Sequence, residues 1–324
     1  MLINKTFIKK IIGKIFKVPY LKFRNKNILT IFVFHEINDK PSLYAKENNL
    51  NLTIKEFKEI INLLEKYYNF ISPKDINKIR KVENPALITF DDGFLGVFKN
   101  ALPYLEKKKI PSINFLNMGP IISKKPNISA TIQYLEKYNK NFQNFLDKKN
   151  IINSSYLSIS PKLLNEFQKK FSKISSKTKN EIKKFQGNLV NQGQLQNWDQ
   201  SKYVFYANHL YDHWNTIILD KLTLKYLFYK NIHHLKKYKN FINFFAFTNG
   251  QPDTCFNFDN LNELKKFNCD LIFSASSGQN KIRDKFFLDR FGISRSELNE
   301  NIFFYRIFRS FLNFKIRKYQ NDKK

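Results

Sequence analysis

The stretch Ala86-Leu87-Ile88-Thr89-Phe90-Asp91-Asp92-Gly93 constrains this chain more than any other. A short apolar run of this kind reads as a buried strand, and it stops abruptly at two adjacent acids and a glycine. Two neighbouring carboxylates repel each other when both are ionised away from water. They become useful together when a cation holds one and the other moves protons. Gly93 lets the backbone turn sharply before a following helix. The competing reading is a strand that ends in a solvated Asp-Asp-Gly turn, and these residues alone leave both open.

A chain of 324 residues, 42% of them hydrophobic, can bury a sizeable core, and a single α/β barrel of this length is ordinary. The formal charge of +29 favours anionic partners: nucleic acid, a membrane surface or an acidic glycan. The lysines are spread along the whole chain, which suits a solvated basic surface better than a dedicated nucleic-acid groove. No helix-turn-helix, zinc-finger or RNA-recognition pattern accompanies them, so nucleic acid is not an expected partner. Cys255 and Cys269 are the only cysteines and lack Cys-x-x-Cys spacing; they neither require nor exclude a disulfide. No apolar run approaches the length that spans a bilayer.

Residues 1–27 are basic, with Leu2, Ile3, Phe7, Ile8, Ile11, Ile12, Ile15 and Phe16 interspersed. They lack the continuous apolar segment and cleavage site of a secretory signal. An amphipathic basic helix is expected, lying on an anionic membrane or packed against the domain. The expected location is the cytoplasm, peripherally at the inner membrane face.

Taken in order, Ile28 to Phe34 is a β-like run that ends at His35-Glu36, the end of a strand being where barrel enzymes place chemistry. Thr53-x-x-Glu56 is a capping box, and Phe57, Ile60, Ile61 and Leu64 then share one helical face. Ser72-Pro73 reads as another helix start. After the two acids, a helix around Phe98 and Leu102 leads to a strand at Ile113 to Leu116. Residues 123–198 are rich in Lys, Asn, Gln and Ser, with helical patches at Ile132 to Leu146 and Leu163 to Phe185. They read as a helical insertion on a barrel rim, where insertions commonly shape access. Tyr203 to Tyr206 is strand-like and leads to His209 and His213, whose spacing on a helical turn would let both reach one metal ion. His233-His234 lie in a lysine-rich helical patch and read as surface residues. Phe244 to Phe247 and Asp270 to Ala275 are further strands. The chain reads as one domain over 28–294, followed by a basic aromatic helix in 295–324.

Ala86 to Phe115 resembles the signature of the polysaccharide deacetylase family, the NodB-homology carbohydrate esterases. Thr-Phe-Asp-Asp-Gly stands at Thr89 to Gly93, a helix follows, and Pro103-Tyr104-Leu105 precedes the next strand. Phe34-His35-Glu36-Ile37 is similar to the Tyr-His-x-Ile segment of a circularly shifted branch, and no histidine follows His234. Phe287 to Ile293 resembles a late segment in which an arginine, here Arg290, precedes an apolar strand. Thr248-Asn249-Gly250 stands where the family carries Tyr-Pro-Tyr-Gly, and Leu210 stands where many members have Ser or Thr.

The resemblance implies an α/β fold, a distorted (β/α)7-type barrel similar to a TIM barrel, with the site at the strands' C-terminal ends. It implies that Asp92, His209 and His213 hold a divalent metal, zinc by default, with Fe2+, Mn2+ or Co2+ as substitutes. It further implies Asp91 as general base, His35 as general acid and Arg290 as the group that orients Asp91, the competing reading of Arg290 being an ion pair with Asp289 or at the surface. The implied activity is removal of N-acetyl groups from an amino sugar in a glycan or glycan precursor. The departures at Leu210 and Thr248 motivate an alternative, a catalytically degenerate glycan-binding protein. The charge motivates another, a basic membrane- or nucleic-acid-binding protein.

Overall fold

Apolar runs that alternate with amphipathic stretches leave two faces of each strand to be covered, and a sheet wrapped by helices covers both. The computed structural model describes residues 4–22, 28–149, 151, 156–170, 175–281 and 286–313. The strands β1 (Ile28–Phe34), β2 (Pro85–Phe90), β3 (Ser112–Leu116), β4 (Val204–Asn208), β5 (Phe241–Ala246) and β6 (Leu271–Phe273) follow one another round the sheet in chain order. Each neighbouring pair is parallel. The segment 287–292 then bridges the two edges. Its first half, β7 (Phe287–Leu288), pairs with β6, and its second half, β8 (Phe291–Gly292), pairs with β1. The sheet therefore closes as a distorted barrel, the architecture expected from the sequence.

The strands alternate between two buried faces because their side-chain period is two. Leu29, Ile31, Leu87, Ile113, Phe115, Ala207, Phe244, Ala246, Phe273 and Leu288 form one cluster, the barrel interior. Phe32, Phe34, Ile88, Phe90, Leu116, Val204 and Tyr206 point the other way and meet the helices. Among those helices, α1 (Lys5–Lys22) comes first, and α2 (Ile54–Glu65) carries the expected capping box. Thr53 Oγ1 accepts from the Glu56 N–H, and Glu56 Oε2 accepts from the Thr53 N–H at 2.7 Å. Phe57, Ile60, Ile61 and Leu64 are its buried residues.

The insertion is helical, as expected, but built of shorter pieces than its patches suggested. Ile132 to Leu146 divides at Asn139 into α3 (Ile128–Tyr138) and Lys140–Lys148, because Asn139 adopts an extended conformation and caps the second helix. Within Leu163 to Phe185 the described residues form the helices Pro161–Lys170 and Ser176–Gln186, and 171–174 lie outside them. Ile132, Leu135, Phe142, Phe145, Ile159, Leu164 and Phe167 give it a small core of its own. It returns to the barrel where Leu95 N–H donates to Asn188 O and Val190 N–H donates to Gly93 O, beside the two acids.

The stretch from Ser72-Pro73 is a 3-10 helix, Pro73–Lys81, and the turn after the acids is wound as a π-helix over Val97–Ala101 before Leu102–Lys108. On the far side of the insertion, α4 (Lys221–Leu235) carries His233, which is exposed, and His234, which stacks on Tyr211. The last described helix, α5 (Glu300–Phe311), buries Phe303, Phe304 and Ile307 in the outer cluster of β1 and packs on α1. Cys255 and Cys269 are free thiols, both buried. Among the described residues, no helix is long and apolar enough to cross a membrane.

Candidate active site

The inward register of the strands assembles the site. Counting by twos along the interior cluster, β1 runs Leu29, Ile31, Val33 and arrives at His35. In the same way β2 arrives at Asp91, β3 at Asn117, β4 at His209, the strand after Ala246 at Thr248, and Leu288 at Arg290. All six stand one step past the last inward strand residue. The strands are parallel, so these positions, staggered by the pairing register, all gather at the strands' C-terminal ends as a polar layer capping an apolar barrel. Asp92 and His213 join this layer through backbone conformations that side chains rarely adopt. Asp92 has φ 69° and His213 φ 61°, with Leu210 between the histidines at φ 65°. Left-handed conformations at residues with a Cβ cost energy and collect at functional sites. The two histidines therefore do not sit on a helical turn, as their spacing suggested. An irregular loop points both at the same place.

That place has the chemistry of a cation site. His209 Nδ1 lies 2.9 Å from Ala246 O, and a carbonyl oxygen only accepts, so Nδ1 carries the proton. Ser129 Oγ lies 2.7 Å from His213 Nδ1 and 2.9 Å from His213 O. Its one proton goes to the carbonyl, so His213 Nδ1–H donates to it. Both neutral rings then present an Nε2 lone pair to the interior. Facing them, Asp92 Oδ1 is 2.9 Å from His213 Nε2 and 3.5 Å from His209 Nε2, yet it is buried without hydrogen-bond geometry to any partner.

Three electron-pair donors converging in a buried space repel one another unless something positive lies between them. A proton on His213 would serve one edge; a cation serves all three. The donor atoms lie within 4.8 Å of one another, and metal–nitrogen and metal–oxygen bonds of about 2.0–2.2 Å require separations of that order. The residues present fit a divalent metal. Burial alone would raise the Asp92 carboxyl; when His213 and His209 carry protons in place of a cation, they outweigh burial and hold it well below the usual carboxylate range.

The second acid is held apart for other work. Arg290 Nη1 donates to Asp91 Oδ1 at 2.6 Å and Nη2 to Oδ2 at 2.8 Å, a two-point grip. Arg290 is itself fixed, Nε donating to Ser274 O at 2.9 Å and its plane lying 5.0 Å from the Phe115 ring centre. Its neighbour Asp289 is fully engaged by Ser274 Oγ, Ser276 Oγ and the N–H groups of Ser276 and Gly278, so no Arg290–Asp289 pair competes. Burial would raise the Asp91 carboxyl; the Arg290 guanidinium and the nearby histidines win and hold it below its ordinary value. Asp91 Oδ2 is 3.8 Å from His209 Nε2 and 3.9 Å from His35 Nε2. His35 keeps 22% of its side-chain surface open, against 4% or less for Asp91, Asp92, His209, His213 and Arg290. It marks the open side of the layer. Burial lowers its pKa, which the two aspartates only partly offset.

Several residues here were not singled out in the sequence. Asn117 Nδ2 donates to His209 O and to Leu210 O. Asn208 Oδ1 accepts from the Leu210 N–H at 2.9 Å and from Asn231 Nδ2 at 2.7 Å, while Asn231 also bonds Leu116 O and the Met118 N–H. These three amides hold the irregular loop, and Leu210 itself is buried in apolar surroundings. Asn117 was within reach, being the next inward position after Phe115. Thr248 faces inward and donates to Trp214 O at 2.5 Å.

No family model matches the chain, and no curated protein is similar to it in sequence. Solved structures resemble it in fold. The Streptococcus pyogenes deacetylase PplD, solved in complex with acetate, aligns with a TM-score of 0.56 at 14% identity, over 85% of this chain and 96% of its own. IcaB from Ammonifex degensii aligns with a TM-score of 0.55 at 15% identity, over 86% and 97%. A polysaccharide deacetylase from Bacillus cereus aligns with a TM-score of 0.56 at 13% identity, over 86% and 69%. This chain has the polysaccharide deacetylase fold. Identities this low speak for the fold and leave the chemistry to be argued from the residues.

Proposed function

We propose that the protein is a metal-dependent hydrolase that removes N-acetyl groups from an amino sugar in a glycan or glycan precursor. The observation that carries this reading is the pairing of two buried, adjacent carboxylates with opposite surroundings. Asp92 Oδ1 faces two imidazole lone pairs and lacks a partner, whereas Asp91 is gripped at both oxygens by Arg290. The resemblance of Thr89 to Gly93 to the deacetylase signature and the shared fold support the same substrate class.

Asp92, His209 and His213 would hold the cation, with zinc the default and Fe2+, Mn2+ or Co2+ as substitutes. When bound, it would polarise an amide carbonyl and make a water molecule acidic enough to react near neutral pH. Asp91, kept ionised by Arg290, accepts the proton that water gives up as its oxygen bonds to the acetyl carbon. His35, on the open side, gives a proton to the amine nitrogen as the C–N bond breaks. Acetate and a free amino sugar leave. Arg290 acts as a positioning residue: its two-point grip fixes which lone pairs of Asp91 face the cleft.

Metal content and acetate release, measured together on N-acetylated oligosaccharides, test this reading. Stoichiometric metal and acetate release in the wild type, both absent in Asp92→Ala/His209→Ala, are expected. Within the site, Asp92→Ala should abolish metal binding, while Asp91→Asn should keep the metal and lose turnover by about a hundredfold or more. Equal metal loss in both single variants would overturn the division of roles. A wild type that binds no metal after reconstitution would sink the whole assignment.

A further inference from the structure

Helix α1 has two apolar faces, and only one of them is used. Gly13, Phe16 and Tyr20 lie against α5. Phe16 meets Phe308 and Phe311 at ring distances of 5.1 and 6.0 Å, and Tyr20 meets Phe304 at 5.7 Å. Gly13 sits at the closest approach: a Cβ there would lie 1.7 Å from Asn301 O, so only glycine lets the helices touch. Lys17 pairs with Glu300 at 2.7 Å, and the Tyr20 hydroxyl donates to the Tyr68 hydroxyl at 2.8 Å. The helix is docked on the domain, which settles how one side of it is spent.

The other side carries Phe7, Ile8, Ile11, Ile15 and Val18, all exposed, from 41% for Ile8 to 68% for Ile15. At about 100° per residue these five fall within an arc of about 100°, a continuous stripe. The remaining exposed large apolar residues, such as Leu43, Tyr138, Leu222 and Leu312, belong to other elements. Lys10 and Lys14 border the stripe, Lys5 and Lys9 add charge to its first turns, and these four lysines are exposed. The helix has no acidic residue.

We infer that α1 is a membrane-docking element whose outer stripe lies in the interface of an anionic lipid bilayer. A helix already fixed along one side can only lie flat, with its apolar arc in the acyl boundary and its lysines at the phosphates. A second copy of this chain is a poorer occupant, because pairing two such stripes would bring two sets of unpaired lysines together. A protein partner would have to be both apolar along one line and acidic on its rim; an anionic bilayer supplies both everywhere. The inference does not depend on the hydrolase reading, and its test needs neither substrate nor metal.

Co-sedimentation with phosphatidylcholine vesicles, with and without phosphatidylglycerol as about a third of the lipid, provides the measurement. Binding to the anionic vesicles is expected, with Ile11→Ser/Ile15→Ser weakening it by about tenfold or more while charge and melting temperature stay unchanged. A polarity-sensitive dye on Ile15→Cys reports the same event, since Cys255 and Cys269 are buried. Its emission should shift blue on anionic vesicles, and the same dye on Leu222→Cys should not respond. Two results would overturn the inference. Equal binding by the double variant would mean that net charge alone is responsible. A blue shift that grows with protein concentration in the absence of vesicles would mean that a second copy covers the stripe.

Discussion

Asp91 and Arg290 form a buried, two-point ion pair deep in the polar layer, and such pairs are costly to break on one side. Arg290→Met leaves the Asp91 carboxylate buried without the guanidinium that pairs both of its oxygens. A loss of about 3–5 kcal/mol in urea unfolding is expected, with Arg290→Met/Asp91→Leu recovering most of it; no recovery would show that Arg290 stabilises by packing on Phe115 alone. Ser129 makes a subtler contribution. Its hydroxyl sets the tautomer of His213 from 84 positions away in the chain. Ser129→Ala should weaken metal affinity by about 10- to 100-fold while leaving the metal-free melting temperature nearly unchanged, as a chelator competition would read. The acids and histidines of the site could be picked out as candidates from strand ends and spacing. Ser129 could not, because a serine in a Lys- and Asn-rich stretch carries no pattern that points at a histidine so far off.

Helix α3 connects the insertion to the site, and two features of it are testable. Its N-cap Asn127 accepts from the Ala130 N–H at 2.7 Å, just before Ser129. Asn127→Ala should cost about 1 kcal/mol in unfolding free energy. Near its other end Glu136 is partly buried, with Oε1 unpartnered, and burial pushes its carboxyl up to about 7 from 4.5. Below pH 4.5 Glu136 is neutral folded or unfolded, and its full contribution is present. Between there and pH 7 the unfolded chain ionises first, so stability falls as pH rises and stays lower above it. Allowing for its partial exposure, about 1 kcal/mol should be lost across that window. Glu136→Gln should abolish that part of the slope; an unchanged pH profile would place the carboxyl in water. Element boundaries were less legible than element types here. Asn139 ends one helix and caps the next, a choice between continuing and restarting that depends on how the small insertion core packs.

At the scale of the whole molecule, closure of the barrel and filling of the site are linked. The segment 287–292 joins the sheet's two edges and carries Arg290 between its two pairings. Binding of a cation by the folded state alone would stabilise the protein by mass action, about 4 kcal/mol at a thousand times its dissociation constant. Thermal melts should therefore rise with added Zn2+ and fall with a chelator, and Asp92→Ala should remove the response. A wild type whose melting temperature ignores both additions would mean that a proton, not a metal, fills the space between Asp92 and the histidines.

The local sequence was enough to place a strand that ends at Asp91-Asp92-Gly93, a histidine at the end of β1 and a pair of histidines beyond β4. Each of these follows from periodicity and chain punctuation, which act over a few residues. The choice of Asp91 over Asp289 as the partner of Arg290 was not available there, since Asp289 adjoins Arg290 in the chain and Asp91 lies 199 positions away. It follows from closing the barrel, which brings β2 beside the 287–292 segment while Ser274, Ser276 and Gly278 occupy Asp289. The free face of α1 was equally out of reach. An amphipathic pattern says that a helix has an apolar side, but only the contact with α5 tells which residues of that side are spent and which still face water.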